Sequence, residues 1–201
     1  MTLSSLRSVA LFGVMFGGAR PSPEERLVRA VRAGDATALG EVYDAHHEAV
    51  RAFARRLLGD DAAAEDLVHD VFVALPDALG SFQGNASLRT FLISVAVNRA
   101  RHEKRSTARR LGAYERLHAE PRGESADPEH HHTRRALAQT LSRCIAQLPM
   151  EQRVAIVLCV VEERTSVEAA EIVGVPEATM RTRVFHARRK LRELMESEVP
   201  R

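Results

Sequence analysis

The chain has 201 residues, of which 45% are hydrophobic and 28% charged, with few aromatics and no tryptophan; this is the composition of a soluble globular protein with one domain or two small ones. Alanine, leucine, arginine and glutamate dominate and alternating β-branched runs are scarce, so an all-α protein is expected. The formal net charge of +2 selects no partner, but every formal charge over residues 60–77 is acidic, whereas residues 99–110 are dominated by arginine and lysine. One segment suits a basic partner and the other an acidic one.

The first stretch, SLRSVALFGVMFGGAR, is apolar like a signal-peptide core, yet it is too short to span a bilayer and lacks a small-x-small cleavage site. Residues 1–22 are therefore expected to be a disordered extension or a wrongly assigned start, not a membrane insertion. Helical periodicity begins near Glu24. Leu39, Val42, Tyr43, Val50, Phe53, Ala54 and Leu57 form an expected seam punctuated by Gly34 and Gly59. The next segment, DDAAAEDLVHDVFVALPDAL, offers Asp60 or Asp61 as a cap, and Leu67, Val68, Val71, Phe72 and Leu75 as its core face. Pro76 predicts a kink or an end near Leu75. After the loop GSFQGNAS, Ser87 can cap a helix whose buried stripe is Leu88, Phe91, Leu92 and Val95, and whose polar face, Ser94, Asn98, Arg101 and Arg105, grows more basic toward its end.

The pattern weakens after residue 110, and EPRGESADPEHHH has the composition of a linker. A second helical unit starts near Thr133, with Leu137, Leu141, Ile145 and Leu148 in register, a helix start at Pro149, and Val154, Ile156, Val157 and Leu158 in the following helix. Cys144 and Cys159 lack CxxC spacing and fall in apolar helical patterns, as reduced core thiols do. In TSVEAAEIVGVPEATMRTRVFHARRKLREL, Val167, Ala170, Ile172 and Val173 fit a short helix, Gly174 stops it, and Pro176 opens the next. Met180, Val184, Ala187 and Leu191 then face a core, leaving Arg181, Thr182, Phe185, His186 and Arg189 on one exposed stripe of roughly 12 Å, the width of a B-DNA major groove. Helix, tight turn and helix make a helix-turn-helix.

Two blocks, AGDATALGEVYDAHHEAVRAFARRLLGDDAAAEDLVHDVFVALPDALGSFQGNASLRTFLISVAVNRARHEKR and LPMEQRVAIVLCVVEERTSVEAAEIVGVPEATMRTRVFHARRKLREL, resemble in order and spacing the two conserved-region domains of a bacterial sigma-70 factor of the extracytoplasmic-function group. The resemblance covers residues 24–197 and implies a region 2-like domain over 23–110, a flexible linker over 111–132 and a region 4-like helix-turn-helix domain over 133–197. It implies a promoter-specificity subunit that binds RNA polymerase core, through the clamp of the largest catalytic subunit and the flap, and promoter DNA, both as duplex and as non-template single strand. An anti-sigma factor commonly accompanies such proteins, and a cytoplasmic location is implied.

Carried onto this chain, the resemblance places core binding on Glu65, Asp66, Asp70 and Phe72. Recognition of the −10 element falls to Phe82, Asn85 and Ser87, which could wall and hydrogen-bond a flipped base, and to Asn98, Arg99, Arg101 and Arg105. The −35 element falls to Arg181, Thr182, Phe185 and His186, with Arg188 or Arg189 on phosphate. This sequence departs from the family pattern at His186, often Arg in relatives, at Phe91, often Trp, and at Pro76. A stand-alone helix-turn-helix regulator is the alternative, but its first domain would then need a sensor pattern. No catalytic residue, cofactor or metal site is expected: the nucleophile elbow, phosphate-binding glycine loop and dinucleotide fingerprint are missing. His46, His47 and the run His130, His131 and His132 lack the usual ligand spacing; a weaker alternative joins that run to Glu129 and Cys144.

Overall fold

A computed structural model of the chain describes residues 22–114 and 132–198. Among them it contains eight α-helices and no strand. The expectations for residues 1–21, and for most of the linker, lie outside the described residues.

Local capping sets the helix boundaries of the first unit. Helix α1 (Pro23–Arg32) opens with a capping box in which the Ser22 hydroxyl accepts the Glu25 N–H and the Glu25 side chain accepts the Ser22 N–H. Helix α2 (Ala36–Leu58) starts at Asp35, whose carboxylate accepts two backbone N–H groups, and stops at Gly59, which takes the left-handed conformation with φ 72°. Asp60 caps α3 (Asp61–Ala78). Contrary to expectation, α3 continues past Leu75 with Pro76 inside it, and a short 3₁₀ turn, Leu79–Ser81, follows. A proline in the last turn forfeits a single ladder bond near an end already short of partners, so the helix survives it. Ser87 caps α4 (Leu88–Tyr114) by accepting the Thr90 N–H at 3.2 Å.

Helices α2, α3 and α4 pack together with α1 against them. The interior comprises Val42, Val50, Phe53, Leu57, Leu67, Val71, Phe72, Leu75, Leu88 and Leu92, the seam expected from periodicity. Two of the expected seam residues are peripheral: Leu39 and Phe91 are half-buried. Tyr43 is exposed.

The second unit contains α5 (His132–Ala146), α6 (Met150–Ile156), α7 (Ser166–Val173) and α8 (Glu177–Glu198). A π turn, Val157–Val161, follows α6 directly and was not foreseen. Val154, Ile156, Val157, Leu158, Ala169, Ile172, Met180 and Ala187 form the core here, and Val184 and Leu191 pack at its edge. Leu137 and Leu141, expected in the seam, are exposed, as is Val167. Among the described side chains of α5, those of the last turn, Cys144 and Ile145, reach the interior.

The two units touch along α4 and α7, and where α2 meets α5 and the π turn. At the second contact the buried Arg153 donates to the carbonyls of Ala146, Leu148 and Leu57, the last two at 3.2 Å. Close approach also occurs at Gly59, where an added Cβ would lie 3.5 Å from the Ala146 Cβ.

Phe53 has no accessible surface, so Phe53→Ala is expected to lower the unfolding free energy by about 3–5 kcal/mol. The exposed Val73 supplies the contrast, with Val73→Ala expected to stay within about 0.5 kcal/mol of the parent. Urea denaturation followed by circular dichroism measures both.

Candidate nucleic-acid interface

Helix α3 buries its apolar stripe in the bundle and leaves its acids on the opposite face. Glu65 is partly neutralised by its own chain: its carboxylate lies 2.8 Å from Arg51 Nε and 3.9 Å from an Arg55 nitrogen. Asp66 and Asp70 are exposed, and among the described residues no cation lies within ion-pair distance of either. Phe72 belongs to the interior, at 6% exposure, where its ring meets the edge of Tyr43 at 4.8 Å between centroids. It offers little surface to a partner. The apolar surface beside Asp66 and Asp70 instead comes from Val73, 65% exposed, and Tyr43, which with Leu39, Val68 and His69 line a shallow groove between α2 and α3. Val73 was the visible signal for this groove, being an apolar residue off the helical stripe.

The loop after α3 is fixed from below. Arg32 on α1 donates to the Leu79 carbonyl at 3.0 Å and also to that of Phe82, a tether that the sequence pattern did not reveal. Phe82 is half-buried against Phe91, with ring centroids 4.9 Å apart. Asn85 and Ser87 stand exposed beyond this anchored base, the Asn85 amide donating to Gln83 at 3.3 Å. The Ser87 hydroxyl is engaged as the α4 cap and lies 3.0 Å from the Thr90 hydroxyl. The Leu88 N–H is taken by the Glu24 carboxylate, so α1 and α4 hold the loop between them.

Along α4 the expected basic face divides. Asn98 and Arg99 are exposed. Arg101 is not, its side chain being 13% exposed; it ion-pairs with Glu151 and donates to the Val173 carbonyl at 3.2 Å. The side chain of Arg105 lies outside the described residues.

Helix α8 presents the stripe as expected. Arg181, Thr182, Phe185, Arg188 and Arg189 are exposed and His186 is half-buried. Phe185 keeps 64% of its surface in solvent and meets only the edge of His186, 5.5 Å away. Arg181 and Arg189 have loose partners one turn away, Glu177 at 4.0 Å and Glu193 at 3.9 Å. Exposed pairs of this kind are worth about 0.3–0.5 kcal/mol, too little to withhold the guanidinium groups from an anion. The stripe borders a groove lined by Arg181, Phe185, Arg188 and Arg189, to which Arg164, after the π turn, and Arg192, one turn beyond Arg188, add further positive charge; neither was singled out from the sequence. Cys159 sits at its floor, half-buried, with its thiol pKa raised by burial.

The turn that aims α8 is also locally encoded. Thr165 caps α7 in a box with Glu168, and Gly174 ends it at φ 68°. The stop after Val173 and the start beyond Pro176 match the expected helix-turn-helix. Among the described residues there is no cluster of His, Cys, Asp and Glu able to hold a metal ion.

Residues 42–110 match the family model for sigma-70 region 2, and residues 138–191 match that for sigma-70 region 4. The sigma-E factor of Escherichia coli K12, an extracytoplasmic-function sigma factor, is 30% identical over 175 residues, covering 82% of this chain and 90% of its own length. The extracytoplasmic-function sigma factor SigM of Mycobacterium tuberculosis is 27% identical over 185 residues, covering 90% of this chain and 89% of its own. Among solved structures, the sigma factor RpoE of Bartonella quintana, crystallised with the anti-sigma factor NepR, superposes with a TM-score of 0.62 at 26% identity, covering 81% of this chain and 98% of that one.

The capping box on α7 carries a pH prediction. Glu168 accepts the Thr165 N–H and hydroxyl, both at 2.8 Å, and these bonds hold its carboxyl below the usual glutamate range. A depressed folded-state pKa contributes stability that is present above the unfolded pKa and lost as pH falls through the folded one. Glu168→Ala is therefore expected to lower the melting temperature at neutral pH, with the gap from the parent closing as pH falls below the glutamate range. Thermal melts across pH 3–7 read it.

Proposed function

The chain belongs to the sigma-70 family, in its extracytoplasmic-function group, and on that premise we propose how its surfaces divide the work of promoter-specific initiation. As a sigma factor it binds RNA polymerase core and promoter DNA and directs transcription to particular promoters. The proposed functional bounds are a core-binding and −10 unit over 23–110, a linker over 111–132, and a −35 unit over 133–197. The factor acts as a non-catalytic subunit in the cytoplasm, and an anti-sigma protein holds it in reserve, as the pairing of RpoE with NepR suggests. None of the helices searched among the described residues is long and apolar enough to cross a membrane.

The observation that carries the assignment is the separation of unmatched charge: Asp66 and Asp70 stand without cations on α3, and an arginine stripe around a solvent-facing Phe185 stands on α8. In this reading Asp66 and Asp70 meet the polymerase clamp, with Glu65 contributing less because Arg51 already offsets it. Val73 and Tyr43 supply the adjoining apolar contact, supported from beneath by Phe72. Asn85 and Ser87, exposed on a loop tethered by Arg32, receive a base unstacked from the non-template strand, and Phe82 braces the pocket floor. Asn98 and Arg99, with Arg101 and Arg105, follow the adjoining backbone. Arg181, Thr182, Phe185 and His186 enter the major groove of the −35 element, and Arg188 and Arg189 meet phosphates. The stand-alone regulator has no comparable support, because the first unit matches sigma-70 region 2.

Charge reversal tests the first contact. Asp66→Lys with Asp70→Lys is expected to abolish co-purification with core polymerase at moderate salt while the circular dichroism spectrum stays unchanged. Full retention would remove α3 from the interface.

Groove orientation is tested on −35 duplexes. Arg181→Ala is expected to cost about 1–3 kcal/mol on the preferred sequence and to flatten discrimination, whereas Arg189→Ala weakens all sequences alike and lowers the salt slope by about one unit. Titrations at several salt concentrations distinguish the two; the reverse outcome would invert the helix in the groove.

A further inference from the structure

Helix α3 and the 3₁₀ turn that extends it end with no basic side chain in their last turns, and α4 begins with no acidic side chain in its first. The final carbonyls of one helix and the first N–H groups of the next lack partners, and the dipole makes the first end negative and the second positive. Both missing charges come from α1. Arg32 donates to the Leu79 carbonyl from Nε at 3.0 Å and from Nη2 at 2.6 Å, and Nη2 also reaches the Phe82 carbonyl. Glu24 accepts the Leu88 N–H, which the Ser87 cap, spent on the Thr90 N–H, leaves open.

These bonds close on the two ends of one loop, residues 82–87. Leu79 and Leu88 are buried and pin the chain on either side of it, while Asn85 and Ser87 are exposed. Gly84 turns the loop at φ 76°, and nothing lies within 4 Å of where a Cβ would sit there, so no packing fixes that part of the loop. Its shape is set from its ends. Glu24 and Arg32 stand about 12 Å apart along α1 at 1.5 Å per residue, and the buried Val28 and Val31 between them seat the helix in the bundle. Helix α1 precedes residues 42–110, the span that matches sigma-70 region 2.

Resting on the reading of this loop as the receiver of an unstacked base, we infer that Glu24 and Arg32 are positioning residues for strand opening. Helix α1 is a brace that sets the separation and tilt of the loop's ends before DNA arrives. A base leaves its stack only where the contacts it gains offset the unstacking cost, and a loop that must first be ordered returns less of that gain. Neither side chain needs to touch DNA. Asp66 and Asp70 lie about two turns or more before the end of α3, so loss of the brace is expected to spare the contact with polymerase.

The test uses the full chain with Glu24→Met and Arg32→Met, which keep the apolar stems and remove the acceptor and the donors. In the free chain, hydrogen exchange is expected to speed up about tenfold at the Leu88 N–H and across residues 82–87, with α2 unchanged. In complex with core polymerase, on a promoter where the parent yields a run-off transcript, the double variant is expected to open the −10 region about tenfold more slowly by permanganate footprinting, at unchanged affinity for core. Arg32→Lys keeps the charge and is expected to open faster than Arg32→Met. Arg29→Met, from an exposed position on the same helix, loses the same charge without a bond to the loop and is expected to match the parent. Unchanged exchange, unchanged opening, an equal loss of core affinity, or an equal defect in Arg29→Met overturns the inference. A parent chain that yields no promoter-dependent transcript refutes the sigma-factor reading and the opening role with it, while exchange at Leu88 still shows whether α1 holds the loop.

Discussion

The arrangement of the two units turns on one buried cation. Arg153 is 6% exposed, and burial pushes its pKa down, yet a guanidinium stays charged in a protein. A charge in that position is tolerable only when hydrogen bonds replace its water. Arg153 finds them at the carbonyls of Ala146, the last residue of α5, Leu148 in the following turn, and Leu57 in the last turn of α2. The final carbonyls of a helix have no partners of their own and carry the negative end of its dipole. A single side chain therefore satisfies the C-terminal ends of two helices from different units. Gly59 ends α2 in the left-handed conformation beside Ala146, which a Cβ at position 59 would meet at ordinary van der Waals distance.

With that joint in place, charge elsewhere is distributed by whether it has a partner within the chain. Glu65, Glu151 and Glu162 face arginines, whereas Asp66 and Asp70 face solvent. Arg101 and Arg183 are held, while Arg181 and Arg189 are loosely paired and Arg188 is exposed. On the proposed assignment, the acidic face of α3 and the arginine stripe of α8 are open to solvent, and Arg101 on the basic face of α4 is covered.

Much of this was legible in the sequence because its causes are local. The Gly174 stop, the Asp60 cap and the Ser87 cap are short-range chemistry, and the stripe on α8 follows from helical period alone. Long-range packing decided the rest. Helical period placed Phe72 on the core face and left Val73 off it, but the docking of α3 on α2 determines that Tyr43, expected in the seam, stands exposed beside Val73. Leu137 and Leu141 fit the period but precede the one turn of α5 that reaches the core. Arg101 was read on an open polar face and Arg153 was not singled out, since nothing local announces partners such as Glu151 and Leu57, which lie 50 and 96 positions away. The π turn gives no periodic signal that separates it from an ordinary helix end.

In the proposed division of labour, one chain meets two promoter elements with separate units. Photo-cross-linking addresses this most directly, using a photoreactive residue in place of Asn98 on α4 or Thr182 on α8, in complexes of the factor with core polymerase and a promoter. Position 98 is expected to mark the −10 region and position 182 the −35 region, about two and a half turns of B-DNA apart at roughly 10 base pairs per turn. Cross-links from both positions to the same few base pairs would contradict it.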